Sequence, residues 1–579
     1  KSKNLDIVWK EADALCLPFK DSSFSAVAIS FGLRNTVDYE KVLKEMIRVV
    51  KKGGFIYCLD SFVPDCLWIQ PFYKIYFKYI MPLFGGGKKY YKEYVWLYES
   101  TQQFLKKKEL ILLYEKLGLK EIKHCSKMFG VCVMVLKENS RKIIGGNDMS
   151  EEKFDAIIVG GGLAGCSAAI VLANAGLAVL VVERGDFCGA KNMTGGRLYG
   201  HSLEKIIPNF AEEAPIERKI TREKISLMSE DSSFDIGFGS KKLSSNNENA
   251  SYTVLRSTFD RWLASKAEEA GAEIIPGILV DELILEDGKV VGVSATGEEL
   301  YADVVILADG VNSLLAQSLG MKKELEPHQV AVGAKEVIKL GEDVINQRFA
   351  VNNGEGVAWL SCGDPTLGGF GGGLLYTNKD SVSVGVVATL SDIGHSDLSI
   401  NQLLDRFKEH PAIAPYLEGG TSIEYSGHLV PEEGLHMVPE LYRDGVLITG
   451  DAAGFCINLG FTVRGMDFAI ESGRLAAEAV IKAHEIGDFS AATLSYYKKL
   501  IDSSFIMEDL NQYKGFPTLL GRREIFEGLP AMVDDIATKA FTVDGKQGQS
   551  LMMYVIHSVA EHTTAAKLVD FVTTVLEAF

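Results

Sequence analysis

The sequence predicts an α/β protein built on a parallel, dinucleotide-binding sheet, and three observations within residues 149–579 carry that prediction. Residues 154–159, FDAIIV, form a short apolar run that leads straight into GGGLAG at 160–165. A second apolar run, 177–182, ends on Glu183. Two later runs close alike on glycine and acid, VVILADG at 304–310 and GVLITGDAAG at 445–454.

Each position in the first turn has a physical reason. Gly160 permits the tight turn, Gly162 lets the backbone approach a pyrophosphate, and Gly165 lets the following helix pack closely on the strand. Leu163 and Ala164, between the last two glycines, belong with them to the cofactor-binding set, and the helix that follows has its N-terminus facing the phosphates. It continues through Ala168, Ala169 and Leu172, and Gly176 ends it. Glu183 falls 18 residues after Gly165, where a carboxylate accepts hydrogen bonds from the adenosine ribose and repels a 2′-phosphate.

The chain has 579 residues, enough for roughly three to four domains of about 150 residues. Charge divides it. Residues 1–148 carry 25 Lys+Arg against 16 Asp+Glu, whereas residues 149–579 carry 35 against 61. No apolar run reaches the length of about 18 residues that spans a bilayer, and no signal peptide opens the chain, so a cytoplasmic protein is expected. Basic runs such as 106–108 are short and read as solvated helix faces, which argues against nucleic acid as a partner. The nine cysteines include no C-x-x-C pair and none follows Cys456, so neither a disulfide framework nor a zinc or iron-sulfur ligand set is predicted.

The asymmetry has a candidate junction. KIIGGNDMSEEKFDAIIVGGG at 142–162 reads like the opening of a protein, with Met149 leading a short charged segment into the first strand. Gly145 and Gly146 can be encoded by a ribosome-binding sequence. The expectation is two joined reading frames, with 138–150 as the junction and 149–579 complete in itself.

With the glycine fingerprint, the runs ending at Asp309-Gly310 and Gly450-Asp451 resemble the FAD-binding pattern of the glutathione reductase and aromatic hydroxylase superfamily. That resemblance implies FAD rather than NAD, with Asp451 on a ribityl hydroxyl and the helix after the 460–465 loop pointing its positive end at the flavin. Four further segments narrow the family: CGAKNMTGGR at 188–197, VLRSTFDRWLASKAEEAGAEI at 254–274, GGGLLYTNKDSVSVGVV at 371–387 and GDAAGFCINLGFTVRGMDFAIESG at 450–473. Together they resemble the FixC-type electron transfer flavoprotein:quinone oxidoreductases, relatives of the geranylgeranyl reductases. The resemblance implies a FAD domain from 151–215, 253–325 and 440–485, an antiparallel α+β substrate or quinone-side domain from 216–252 and 326–439, and a helical region, 486–579, that closes over the site. It adds Arg184, Lys191, Gly195, Gly196, Arg256, Val280, Gly460 and Phe461 to the cofactor-binding set.

No general base stands out, and no catalytic residue or metal ligand is assigned. Cys188 reads as a redox thiol near the flavin or, more simply, as a small apolar wall residue; Lys191 or Arg197 would pair with phosphate or carboxylate. Longer members of the family carry a C-terminal iron-sulfur module with its own cysteines, so any cluster is expected on a separate ferredoxin-like partner. The expected function is electron transfer from an electron transfer flavoprotein to a quinone or that ferredoxin-like protein, with an isoprenoid reductase as the competing reading. Both leave room for peripheral contact with the cytoplasmic face of the membrane. An apolar stripe at Leu551, Val555, Ile556 and Val559, continued at Leu568, Val569, Val572, Val575 and Leu576, predicts helices buried in the core or covering the cleft.

In the first segment, EADALCLPFKDSSFSAVAISFGLRN at 11–35, VVKKGGFIYCLDSF at 49–62 and YVWLYEST at 94–101 resemble the C-terminal half of the demethylmenaquinone/ubiquinone methyltransferases, a likeness reaching to about residue 137. It implies half of a Rossmann-like domain, with Asp13 at the adenine of S-adenosylmethionine and 31–35 lining its pocket. The glycine-rich strand-loop of that family has no counterpart here. No methyl transfer is therefore expected, and the half-sheet is expected to fold poorly without its complement. The aromatic stretch 68–84 reads as a lid or as a membrane-surface segment.

Overall fold

A computed structural model describes residues 153–192, 196–240, 242–246 and 249–578, and in the first segment 12–30, 32–36, 38–61, 122–127 and 132–138 with isolated positions between 74 and 117. Met149 and nearly all of 138–150, the stretch 68–84 apart from Lys74, Phe31, Lys107, Lys108 and Gly195 lie outside the described residues. The chain divides into two compact units, Lys1–Met149 and Ser150–Phe579.

Among the described residues of the first unit, four strands lie in the order Phe24–Ser30, Val50–Ser61, Cys132–Glu138, Ile122–Lys127. The first pair is parallel and the others are antiparallel. The helix Tyr39–Val49 starts where the Asp38 side chain accepts from the Lys41 N–H, and it buries Val42, Leu43, Met46 and Val49. That spacing of three and four residues puts all four on one face. Val42, Leu43 and Met46 join Leu33, Ile56 and Leu110 in a local core, beside a buried Arg34–Asp60 ion pair.

The second unit is organised by two sheets. The first has the order Glu273–Pro276, Val179–Glu183, Phe154–Val159, Glu298–Leu307, Lys289–Ala295, Val280–Glu286, with Val446–Ile448 also pairing in parallel with Glu298–Leu307. Its parallel core strands are buried almost throughout, as sheets covered on both faces require. The helix Leu163–Asn174 lies between this sheet and the long helix Met466–Ile486. The two helices meet closely, because a Cβ on Gly473 would sit 2.2 Å from the carbonyl oxygen of Ala164.

The second sheet runs Thr421–Pro431, Val330–Lys339, Ser381–Thr389, Gly371–Thr377, Glu355–Gly363, Ile216–Met228, Ser251–Val254, Gly196–Tyr199, with Ser233–Gly239 paired to Ile216–Met228. It is mixed rather than wholly antiparallel. Glu355–Gly363 runs parallel to Ile216–Met228, a pairing that the long intervening chain makes available. Gly196–Tyr199, grouped by sequence with the FAD domain, pairs here with Ser251–Val254. The helix Ile400–Glu409, capped reciprocally by Ser399 and Gln402, packs Leu403, Leu404 and Phe407 into a second core with Trp359 and Leu375.

The end of the chain departs from expectation. Leu551–His562 and Ala565–Ala578 are helices, yet Leu551, Ile556, Leu568, Val569 and Val572 are exposed. A period of 3.6 specifies a common face but not an element to cover it. Among the described residues no helix is long and apolar enough to cross a membrane.

Candidate functional site

Register builds the site. Val159 pairs with Val182 on one side and with Leu307 on the other, and Leu307 pairs with Ile448. Four strands therefore end level, and the turns after Val159, Glu183, Leu307 and Ile448 converge on one edge of the sheet, where open α/β sheets bind ligands. The shared cavity has a volume of about 1090 Å³.

At the first turn Gly160 has φ +105°, and a Cβ there would lie 2.3 Å from the Ala308 carbonyl oxygen, so only glycine fits. Gly165 is held as tightly against the Gly160 carbonyl, at 2.0 Å. Gly162 is the opposite case: a Cβ there would meet nothing within 4 Å. It faces the cavity and precedes a helix whose first N–H groups receive no side-chain cap. This arrangement suits a diphosphate. Glu183 is buried, and it accepts from the Gly161 N–H at 2.8 Å and the Gly185 N–H at 2.5 Å. The acid thus clamps the glycine turn as well as facing the cavity.

Charged groups line the next stretch. The Lys322 ammonium donates to the carbonyl oxygens of Val311, at 2.6 Å, and Ala452, at 2.8 Å, joining the turns that follow two of the strands. Burial pushes it down to about 8, against the pull of Asp309 and Asp451. Burial likewise raises Asp451, opposed by His428, Arg256 and Lys322. It also raises Asp309, which accepts from the Ser313 hydroxyl at 2.7 Å. His428 is lowered by burial and raised by Asp451. Arg256 is fixed by Asp260, one helical turn on, at 2.7 and 2.8 Å.

Farther along, the wall becomes apolar through Phe370, Leu374, Val387, Leu429, Leu459, Leu520 and Phe526. Few polar groups interrupt it. Arg197 is held by Glu223, with its Nη1 3.0 Å and Nη2 2.5 Å from the carboxylate. Lys335 is buried beside Arg256, and burial followed by that positive neighbour pushes it down to about 7. Glu432 projects from the end of Thr421–Pro431 and is pushed up to about 7 by burial, with an Asn458 hydrogen bond acting the other way.

Of the residues singled out in the sequence, Gly160, Gly162, Leu163, Ala164, Glu183, Arg184, Lys191, Gly196, Arg256, Val280, Asp309, Gly310, Asp451, Gly460 and Phe461 line this cavity. Gly165 and Gly450 are not on its surface; they are spacers behind the wall, with Gly450 against Ala164. Cys188 is buried with its sulfur toward Gly161, beside Glu183. Among the described residues, no side chain of the stripe from Leu551 to Val575 lines the cavity. Sequence reading missed Lys322, Lys335, His428 and Glu432. A lysine inside the apolar run VAVGAKEVI at 330–338 was the available signal for Lys335. Two groups of a histidine and two carboxylates, Asp155–Asp303–His484 and Asp535–Glu561–His562, lie apart from the cavity, and each already holds a lysine.

Two family models described as FAD dependent oxidoreductase match residues 155–320 and 256–479. The probable electron transfer flavoprotein-quinone oxidoreductase YdiS of Escherichia coli K12 is 55% identical over 401 residues, covering 69% of this chain and 93% of that protein. The chain belongs to the FixC/YdiS family of FAD-dependent oxidoreductases. Protein FixC of Salmonella typhi is 53% identical over 397 residues, 69% of this chain and 92% of that one. A geranylgeranyl bacteriochlorophyll reductase-like protein from Thermoplasma acidophilum shares the fold, with a TM-score of 0.55 at 24% identity over 73% of this chain and 100% of its own. Residues 1–137 match the ubiE/COQ5 methyltransferase family, as the first-segment motifs led us to expect.

Proposed function

We infer that this FixC-family chain holds FAD in the cavity of its second unit and uses it to pass electrons from an electron transfer flavoprotein to a quinone. The observation carrying this reading is the division of one cavity into a glycine-and-acid end and an apolar end. At about 1090 Å³ it exceeds the range of about 300–1,000 Å³ usual for one drug-sized ligand. A dinucleotide and the head of an apolar acceptor can therefore share it.

The uncapped start of Leu163–Asn174 would hold the diphosphate, Glu183 the adenosine ribose and Asp451 a ribityl hydroxyl. Gly465 and Met466 line the cavity where Met466–Ile486 begins, so the positive end of that helix would face charge developing on the ring. When bound, FAD supplies the exchange between single-electron and two-electron partners. Lys322 fixes the two turns that carry Asp309 and Asp451. The apolar wall excludes water. The named function of YdiS supports the quinone as acceptor, and a ferredoxin-like iron-sulfur protein is a further partner in this proposal.

The experiment mixes photoreduced protein anaerobically with a short-chain menaquinone analogue, and separately with a geranylgeranyl lipid, while the flavin absorbance is followed. Rapid reoxidation by the quinone alone is expected. Reoxidation by the lipid with a saturated product would replace this reading with an isoprenoid reductase.

A further inference from the structure

Glu432 stands apart from other buried acids of its unit. Asp260, Asp467 and Glu471 each hold an arginine, and Glu183 takes two backbone N–H groups. Glu432 is buried and lines the cavity, yet its side chain has one hydrogen-bond partner, the neutral Asn458 amide at 3.1 Å, and no ion pair among the described residues. A carboxylate placed so would cost several kcal/mol, and burial raises the group to about 7, so it holds its proton below that pH.

The surroundings make that proton usable. The Glu432 backbone N–H donates to the Gln329 carbonyl at 2.9 Å, which fixes the start of the side chain. Asn458 leads into Leu459 and Gly460, and a Cβ on Gly460 would lie 3.5 Å from Leu520. The carboxyl is thus tied to the apolar wall, with Phe461 half-exposed on the same loop. Facing it are the Asn458 amide and the Cys456 thiol, itself pushed far up by burial and by Glu432, Asp451 and Asp467. Adjacent Glu433 is engaged by Gln329 at 2.9 Å and His328 at 3.0 Å.

We propose that the Glu432 carboxyl delivers a proton to the electron acceptor bound at the apolar end of this cavity. The inference rests on the FAD-dependent reading above but not on the choice of acceptor. A quinone becoming a quinol takes up two electrons and two protons. Reduced flavin supplies both electrons and one proton as a hydride equivalent, and Glu432 supplies the second proton to a quinone oxygen. The O–H bond of the carboxyl breaks, a new one forms on the acceptor, and the carboxylate regains a proton from water. Saturation of an alkene has the same balance, hydride to one carbon and proton to the other.

The test compares full-length wild type, Glu432→Gln and Asn458→Leu, all loaded with FAD, in anaerobic reoxidation by a short-chain menaquinone analogue and by ferricenium, which takes an electron and no proton. Wild-type quinone turnover should fall as pH rises through about 7. Glu432→Gln should lose on the order of 10²- to 10⁴-fold with the quinone, lose its pH limb, and lose far less with ferricenium. Asn458→Leu, which removes the bond that holds the group down, should move the limb to higher pH. Equal losses with both acceptors, or an unchanged limb in Glu432→Gln, overturn the proposal. If the wild type reduces the geranylgeranyl lipid and not the quinone, the acceptor assignment fails and the same comparison on the lipid decides Glu432. If neither acceptor is reduced, infrared difference spectra across pH 7 decide it: a protonated-carboxyl band present in wild type and absent in Glu432→Gln supports the group's state, and its absence in wild type overturns the proposal.

Discussion

Replacing Glu183 with alanine should do two things at once. The carboxylate accepts from the Gly161 and Gly185 N–H groups at 2.8 and 2.5 Å in a buried setting. Hydrogen bonds to a charged group contribute about 1.5–3 kcal/mol each, and an orphaned buried donor costs about 1–3 kcal/mol. Loss of both bonds should therefore destabilise the empty glycine turn by about 3 kcal/mol or more, before any contact with a ribose is counted. If binding must restore that turn, 3 kcal/mol alone lowers affinity for FAD by roughly 10²-fold. The assay pairs a fluorescence titration of apoprotein with FAD and a thermal melt of the same apoprotein. Glu183→Ala should weaken binding by on the order of 10²- to 10³-fold and lower the apoprotein melting temperature. Glu183→Gln, which keeps one acceptor oxygen, should fall between. An alanine variant whose apoprotein melts like wild type while its affinity drops would refute the clamp and leave only the ribose contact.

Three further outcomes are expected. A chain beginning at Met149 should bind FAD and melt as the second unit of the full chain does, because each unit has its own core; a lower melting temperature counts against this. Gly473→Val should lower the melting temperature by the equivalent of about 1–3 kcal/mol or more, since its Cβ would fall 2.2 Å from the Ala164 carbonyl. Glu432→Gln should stabilise the protein at neutral and alkaline pH. The folded group is raised from 4.5 to about 7, so the unfolded chain loses its proton first and wild-type stability falls over that interval. The gain of the variant should be absent below pH 4.5, grow to roughly 3 kcal/mol by pH 7, and stay level above it. Chemical denaturation across that range reads it.

The parts of the site legible in the sequence are those written in consecutive residues. The glycine turn at 160–165, Glu183 and the acids at 309 and 451 sit on runs whose length and end residues dictate a strand and a tight turn, so position implied geometry. Lys335, His428 and Glu432 come from a second sheet whose strands are far apart in sequence, and only their register brings them to the cavity. The same non-local pairing hid the parallel match of Ile216–Met228 with Glu355–Gly363. Gly165 admits the Gly160 carbonyl, the close packing read from the fingerprint, whereas Gly450 carried the right residue type for a different reason: it admits the Ala164 side chain, not the ligand. At 551–576 periodicity gave the helices but not their exposure, because a face and its cover are separate facts.

The short strand Val446–Ile448 pairs with Val305, Ile306 and Leu307, residues fully buried in the finished protein. During synthesis these three emerge long before their partner does. At about 5–20 residues per second the ribosome needs roughly 7–28 s to travel from residue 307 to 448. For that interval the nascent chain carries an apolar strand with one open edge, the template on which a second chain can pair. Polysomes crowd such chains together. Yield in the cell should therefore respond to elongation rate and to chaperones that shield open strands, even where the finished protein is stable.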